Sequence, residues 1–195
     1  MFKILDNKNG FTLVEMLVTV TVFSLIVGTS TGIFVSAIKI QRYNLATQEL
    51  LNQTSYALEY MDRFLRMARK DMTGTCLTVA GAGANYENPS DNTAIKFLNY
   101  NGQCQEFYRE WNAAAQVYQL KVDLDTTIPW NELPLTSEKF NVTSLVFQIS
   151  GEEQTDFLQP RVTIFMTIEA VSSAQPKPKL TVQTTISQRA LDLEE

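Results

Sequence analysis

Two neighbouring features near the N-terminus are of the right types to take part in chemistry: the Gly10–Phe11 junction and the carboxylate of Glu15. Glycine has no β-carbon, so a protease can approach the backbone closely at that junction. Glu15 stands directly before an uncharged run from Met16 to Ile38, and a carboxylate at the centre of a bilayer costs about 2.5–3.5 kcal/mol. These residues therefore predict a cleavage site followed by a carboxylate that needs a partner.

The uncharged run from Met16 to Ile38 is the element that positions both features at a membrane. As a helix it would extend about 35 Å, and the hydrocarbon core of a bilayer is about 30 Å thick. It differs from a secretory signal peptide because it is too long and because its break, Gly10, precedes it. We predict a leader over residues 1–10 and a membrane-spanning helix over 11–40.

The sequence GFTLVE at residues 10–15 resembles the processing site of type IV prepilins and type II secretion pseudopilins. The resemblance implies that a prepilin peptidase cuts between Gly10 and Phe11 on the cytoplasmic side and methylates Phe11. It also implies that Glu15 pairs with the free amine of Phe11 in a neighbouring pilin-like subunit. From the residues alone, Glu15 could instead be a carboxylate that snorkels to the headgroup level.

The charges around the span do not decide its orientation, because Lys3 and Lys8 precede it and Lys39 and Arg42 follow it. The resemblance puts the N-terminus in the cytoplasm. The protein would then be a single-pass protein of the inner membrane with its head outside the cytoplasm.

Small side chains repeat at four-residue spacing inside the span, at Ser24, Gly28, Gly32 and Ser36. Such a face lets two helices approach closely in lipid, which suits assembly of subunits through this helix. The two glycines could equally do no more than weaken the helix. Many major pilins carry proline at the place of Gly32, so its absence favours a minor subunit.

A second periodic pattern predicts that the helix continues as an amphipathic segment over residues 41–73. Apolar residues follow steps of three, four and seven, and Glu59 with Arg63 forms an i,i+4 pair on the other face. The apolar positions are Leu51, Leu58, Met61, Leu65, Ala68 and Met72. Residues 57–66 are also similar to the corresponding helix of J-type minor pseudopilins.

From Gly74 onward the pattern changes to period two, which predicts a β-rich head over residues 74–195. Asn101-Gly102 is a strong signal for a hairpin between two of its strands. The predicted strands are 75–80, 93–100, 104–111, 116–123, 142–150, 161–170 and 179–187. A long helix followed by antiparallel strands predicts an α+β, pilin-like fold with the sheet packed against the helix.

The two cysteines of the chain, Cys76 and Cys104, lie in the predicted head. An even pair in an oxidising compartment predicts a disulfide, although the register of the strands could also point two unrelated thiols apart.

Composition excludes several functions. The chain has no histidine, which removes Ser-His-Asp and Cys-His catalysis. Without residues 1–10 the formal charge changes from −5 to about −6, and no basic patch predicts a nucleic-acid partner. We predict no catalytic residues, no cofactor and no metal site, so the protein would not be an enzyme.

Weaker patterns are interpreted as structural. The glycine-rich segment 81–86 is predicted to be a loop, and Trp111 and Trp130 to be core or edge anchors. Two acidic groups are interpreted as solvated charge rather than calcium ligands, because neither has EF-hand spacing. They are Asp123 with Asp125, and Glu152 with Glu153 and Asp156.

The sequence and the resemblance therefore predict a structural pilin-like subunit, minor rather than major, that is cleaved, N-methylated and assembled through its N-terminal helix. The alternative is a signal-anchored monomeric binding domain that never polymerises.

Overall fold

The computed structural model describes residues 10–152, 158–171 and 176–189. They divide into two units, with the boundary between Arg42 and Tyr43. One long apolar helix, followed by antiparallel sheets, confirms the predicted α+β class.

Helix α1 spans Leu13–Arg66 and begins directly after Thr12. In the first unit its apolar side chains are exposed on all sides. Among the residues that the structure describes, α1 is the one helix long and apolar enough to cross a membrane. Its length and composition therefore support the predicted span.

The helix ends at Arg66 rather than near residue 73, because its last carbonyl groups find partners elsewhere in the second unit. The hydroxyl group of Tyr86 donates to Leu65 O at 2.7 Å. The backbone N–H of Arg189 donates to Arg66 O at 2.8 Å. Unpaired carbonyl groups at a buried helix end are costly, so these bonds stabilise this end point.

Five strands form the first sheet, in the antiparallel order β1-β2-β3-β4-β5. They are Tyr86–Glu87, Ala94–Leu98, Cys104–Asn112, Val117–Asp123 and Glu132–Pro134. The short strands β1 and β5 were not predicted. The hairpin predicted at Asn101-Gly102 is confirmed between β2 and β3, and Gly102 takes the positive φ of 82° that its turn requires.

Three strands form the second sheet, in the antiparallel order β6-β7-β8. They are Phe140–Ser150, Arg161–Ala170 and Lys179–Ser187. Their side chains alternate, so that one face of β7 is buried throughout while the other carries threonines.

The core of the second unit lies between α1 and the inner faces of both sheets. The buried helix residues, spaced by three or four, are Leu50, Thr54, Ala57, Met61 and Leu65. The sequence pattern placed both Leu50 and Leu51 on the apolar side, and the structure buries Leu50 while Leu51 is 44% exposed. The periodicity could not decide between the two adjacent leucines.

Residues 75–80 form turns and not the predicted strand. The reason is that side-chain carboxylates, instead of a neighbouring strand, accept the N–H groups of this segment. Asp71 Oδ2 accepts those of Cys76 at 2.8 Å and Leu77 at 2.9 Å. Glu87 Oε2 accepts two more, at 2.8 and 3.0 Å.

Candidate processing and assembly site

The predicted cleavage point lies in an accessible, non-helical segment. Gly10 and Phe11 precede α1, and the Phe11 side chain is 84% exposed. No atom lies within 4 Å of the position where a Gly10 side chain would begin. Nothing among the described residues therefore blocks an approach to the Gly10–Phe11 bond.

Glu15 and Thr12 form a capping box at the start of α1. Glu15 Oε2 accepts the backbone N–H of Thr12 at 2.9 Å and its hydroxyl at 3.0 Å. Thr12 Oγ1 in turn accepts the N–H of Glu15 at 3.3 Å. These bonds satisfy donors that every helix leaves unpaired at its N-terminus.

The capping box gives Glu15 a partner within its own chain, which sequence reasoning missed. The T-x-x-E pattern from Thr12 to Glu15 was the available signal. Only Oε2 takes part, and Oε1 accepts no hydrogen bond from the residues that the structure describes. One carboxylate oxygen therefore remains able to accept a proton donor from outside the chain.

Most hydroxyl side chains of the span are satisfied by the helix itself. Ser24 Oγ donates to Val20 O at 2.8 Å, and Ser36 Oγ donates to Gly32 O at 3.0 Å. Threonine hydroxyls in the same segment donate to carbonyl groups one turn earlier, at 2.7 to 3.0 Å. These hydroxyl groups therefore present no unpaired donor to lipid.

The four small residues of the predicted stripe lie on one exposed face of α1. A methyl group added at Gly28 or Gly32 would have no atom within 4 Å. The backbone is therefore open to close approach by another helix at these two positions, which is the property that a small-residue face provides.

Cys76 and Cys104 are joined by a disulfide, with their Cα atoms 5.4 Å apart. Cys76 lies in the turn segment and Cys104 begins β3. Both side chains are buried around Leu77, in a small apolar cluster separate from the main core. The bond fixes the first loop after α1 to the first sheet.

Asp71 is a second residue that sequence reasoning did not single out. Its carboxylate is 1% exposed. Burial alone would raise its pKa, but hydrogen bonds from Leu77 N–H, from the hydroxyl and N–H of Thr73 and from Cys76 N–H outweigh burial and hold the pKa well below its usual range. Asp71 therefore anchors the disulfide-bearing loop as an anion.

The acidic groups considered for calcium are not brought together. Asp125 Oδ1 accepts the N–H and the hydroxyl of Thr127, at 3.1 and 2.6 Å, and Glu152 Oε1 accepts the N–H of Tyr86 at 2.9 Å. Glu153 and Asp156 lie outside the described residues. Among the residues that the structure describes, no cluster of three or more candidate ligands occurs.

Neither tryptophan lies in the core. Trp111 is 48% exposed on β3, with its ring centroid 5.0 Å from that of Tyr118. Trp130 is 98% exposed, so its interpretation as an anchor is wrong for the isolated chain.

Comparison with known proteins identifies one feature. A family model described as the prokaryotic N-terminal methylation motif matches residues 5–31. No curated protein and no solved structure matches the chain. The match covers the predicted cleavage junction, the capping box and the first part of the predicted span.

Proposed function

Starting from a chain that carries the N-terminal methylation motif of type IV prepilins, we propose that this protein is a minor pilin-like subunit of a filament of the type IV pilus or type II secretion type. The observation that carries the proposal is the motif itself, which leads directly into the exposed apolar part of α1. Proteins of this type are structural subunits and not enzymes.

Processing is the first step of the proposed function. Prepilin peptidase cuts between Gly10 and Phe11 and methylates the new amine of Phe11. The accessible, non-helical junction supports this step, because a protease must bind its substrate in an extended form. Thr12, one residue after the new N-terminus, then caps the helix that begins at Leu13.

Assembly is the second step, and it uses Glu15. In a filament core of low dielectric, the amine of Phe11 in one subunit needs a negative partner, and Oε1 of Glu15 in a neighbour is free to accept it. The face of Ser24, Gly28, Gly32 and Ser36 allows the helices to pack closely around this pair.

The head forms outside the cytoplasm, in the proposed orientation. The disulfide supports that location, because such bonds persist in oxidising compartments. The likeness of residues 57–66 to J-type minor pseudopilins makes a minor position in the filament our preferred assignment.

The capping box favours a second candidate function, a signal-anchored monomer. In that case Glu15 serves only Thr12, and no neighbouring amine is involved. The two functions predict different results for substitutions that separate the cap from the charge.

The experiment compares Glu15→Gln, Glu15→Ala and Thr12→Val, each scored by disulfide crosslinking to partner subunits after cleavage has been verified. Gln retains an acceptor for the cap but carries no charge, whereas Val at position 12 removes the cap and keeps the charge.

We expect both Glu15 variants to be inserted and cleaved but to lose crosslinking, since an unpaired buried amine costs about 3–5 kcal/mol. Thr12→Val should lose only about 1 kcal/mol of helix stability and should still crosslink. Normal crosslinking of Glu15→Gln would refute the pairing with Phe11 and would favour the monomeric anchor.

A further inference from the structure

Strand β8 is an unprotected sheet edge of the second unit. At the other edges that the structure describes, β1 and β5 are short, and β5 ends in Pro134. The outer edge of β6 is covered, because Phe147 N–H donates to Asn92 O at 2.7 Å and Thr143 O accepts from Arg109 Nη1 at 2.7 Å. By contrast, β8 is a regular strand, with an uncharged sequence from Leu180 to Ser187. Natural sheets usually blunt such an edge with a charge, a proline or a bulge.

The hydrogen bonds at both ends of β8 show which of its backbone groups face outward. Gln188 N–H donates to Pro160 O, and Pro178 O accepts from Ala170 N–H, so even-numbered residues face β7. Because the direction alternates along an antiparallel strand, odd-numbered residues face away from β7. Arg189 N–H follows this rule, since it donates to Arg66 O of α1.

The outward-facing residues before Arg189 are Lys179, Thr181, Gln183, Thr185 and Ser187. Their backbone N–H and C=O groups have no partner among the residues that the structure describes. They form a row of donors and acceptors that matches an additional strand.

A groove beside this edge would receive the side chains of an added strand. Thr184 of β8 lines one side of the groove, and Leu58 and Met67 contribute apolar surface. Its charged lining consists of Glu59, Asp62, Arg63, Arg66 and Arg189. Asp62 already pairs with Arg66 at 2.9 Å, which leaves two arginines against one glutamate.

Basic residues flank both ends of the uncharged edge. Lys177 and Lys179 stand at its beginning, and Arg189 and Arg161 stand at its end, where Arg161 is the register partner of Ser187. Lys179 stands opposite Glu169 of β7, whereas Lys177, Arg161 and Arg189 make no ion pair with a residue that the structure describes. An occupant with acidic residues at both ends would complement this pattern.

A second copy of the chain fits this edge poorly. Pairing β8 antiparallel with itself requires a two-fold axis normal to the sheet, which reverses any helix packed on the sheet. In the same pairing, the basic residues at the ends of one edge would also meet the basic residues of the other copy, and like charges disfavour that contact.

We propose that the free edge of β8 binds an extended, acidic-ended segment of a different subunit of the same assembly, which adds as a ninth strand beside α1. This inference rests on the proposed function. Backbone bonds of Thr181, Gln183 and Thr185 supply affinity, and the basic ends set the register of the incoming segment.

Residue-resolved amide hydrogen exchange tests the proposal directly. It is measured on the cleaved full chain, first alone and then in a detergent-extracted complex with its partner subunits. In the complex, the amides of Thr181, Gln183 and Thr185 should exchange at least about fivefold more slowly, as expected for newly formed hydrogen bonds. The amides of Val182 and Thr184 already face β7 and should not change. Unchanged exchange at the three odd positions in a complex of correctly cleaved chain would overturn this inference and leave the proposed function intact.

A pair of substitutions at Gln183 provides the second test. Gln183→Pro removes an outward N–H without removing a bond to β7, and Gln183→Ala keeps that N–H. We expect Pro to reduce recovery of the complex at least about fivefold and Ala to leave it unchanged. Equal recovery of both variants would contradict the added strand.

Charge reversal covers the case in which proline destabilises the isolated chain. Lys177→Glu should reduce recovery of the complex and make the remainder more sensitive to salt, whereas Lys139→Glu, which changes an exposed lysine directly before a different strand, should not. Equal effects of the two reversals would overturn the proposed acidic partner.

Three other outcomes also refute the proposal. A crosslink from Gln183→Cys to a second copy would identify this chain as the occupant. Faster exchange of the Gln183 amide after deletion of residues 190–195 would identify the chain's own acidic C-terminal segment. An uncleaved chain would refute the proposed function and this inference together.

Discussion

At the scale of single residues, Asp71 shows how one carboxylate replaces a strand. Its oxygens accept N–H groups from Gly74, Cys76 and Leu77, at 3.0, 2.8 and 2.9 Å. Because this loop is held by a side chain, its backbone needs no neighbouring strand.

We expect Asp71→Asn to destabilise the full chain in detergent by about 3 kcal/mol at pH 7, because an amide NH2 group would face two buried N–H donors. The measurement is the urea concentration at the midpoint of unfolding. Asp62→Asn is the control, since Asp62 pairs at the surface with Arg66 at 2.9 Å and its loss should cost less than about 1 kcal/mol. Equal effects of the two substitutions would contradict the role given to Asp71.

The same carboxylate predicts a dependence of stability on pH. The pKa of Asp71 is lower in the folded chain than in the unfolded chain, so its contribution is complete above the unfolded value of about 4. The contribution is lost as the pH falls below that value. The difference in unfolding free energy between wild type and Asp71→Asn should therefore shrink from pH 6 to pH 3, and a constant difference would contradict this assignment.

Tyr86 provides a second test at this scale, because its hydroxyl caps Leu65 O at the end of α1. Tyr86→Phe removes one of two hydrogen bonds to this carbonyl, since Ala68 N–H also donates to Leu65 O at 3.2 Å, and should cost about 1 kcal/mol in the unfolding free energy. Tyr100→Phe is the matched control, since Tyr100 is 45% exposed and its hydroxyl makes no hydrogen bond to the described residues. If Tyr86→Phe lowered the unfolding free energy no more than Tyr100→Phe does, the helix end would not depend on this bond.

At the scale of elements, the loop between α1 and β1 depends on the Cys76–Cys104 bond, which closes a separation of 28 residues. Replacing both cysteines by serine should destabilise the chain by about 3.5 kcal/mol in the chain-entropy model. Thermal unfolding with and without reductant measures the contribution of the disulfide to stability. The melting temperature should fall on reduction in the wild type and remain unchanged in the double variant. Insensitivity of the wild type to reductant would contradict a structural role for the bond.

The elements also show what the sequence could and could not predict. The span and six of the strands were predictable because period and length alone specify them. The segment 75–80 was not, because its β-rich composition gives no sign that carboxylates of Asp71 and Glu87 take its N–H groups. The end of α1 at Arg66 was missed for a similar reason, since its caps come from residues distant in sequence.

The candidate site was predictable to a different extent. Gly10, Phe11 and Glu15 follow from a local pattern, and the matched methylation motif covers all three. The capping role of Thr12 required the geometry of the helix start, although its T-x-x-E pattern was visible. The open edge of β8 depends on the order of strands in the sheet, which no local pattern contains.

At the scale of the whole molecule, the chain combines an N-terminal segment of recognised type with a disulfide-bearing head that matches no solved structure. The N-terminal segment suits the proposed cleavage, N-methylation and assembly through α1. In the proposed filament, the head carries the surfaces that would distinguish this chain from its neighbours, including the free edge of β8.

The central claim is that the functional protein begins at Phe11, and the intact mass with the N-terminal fragment spectrum of protein recovered from cells tests it most directly. We expect a chain that lacks residues 1–10 and carries one methyl group on the amine of Phe11. Gly10→Leu, which adds a bulky side chain at the junction, should keep the leader and accumulate in the membrane fraction. Recovery of an intact chain beginning at Met1 from wild-type cells with active prepilin peptidase would contradict the account.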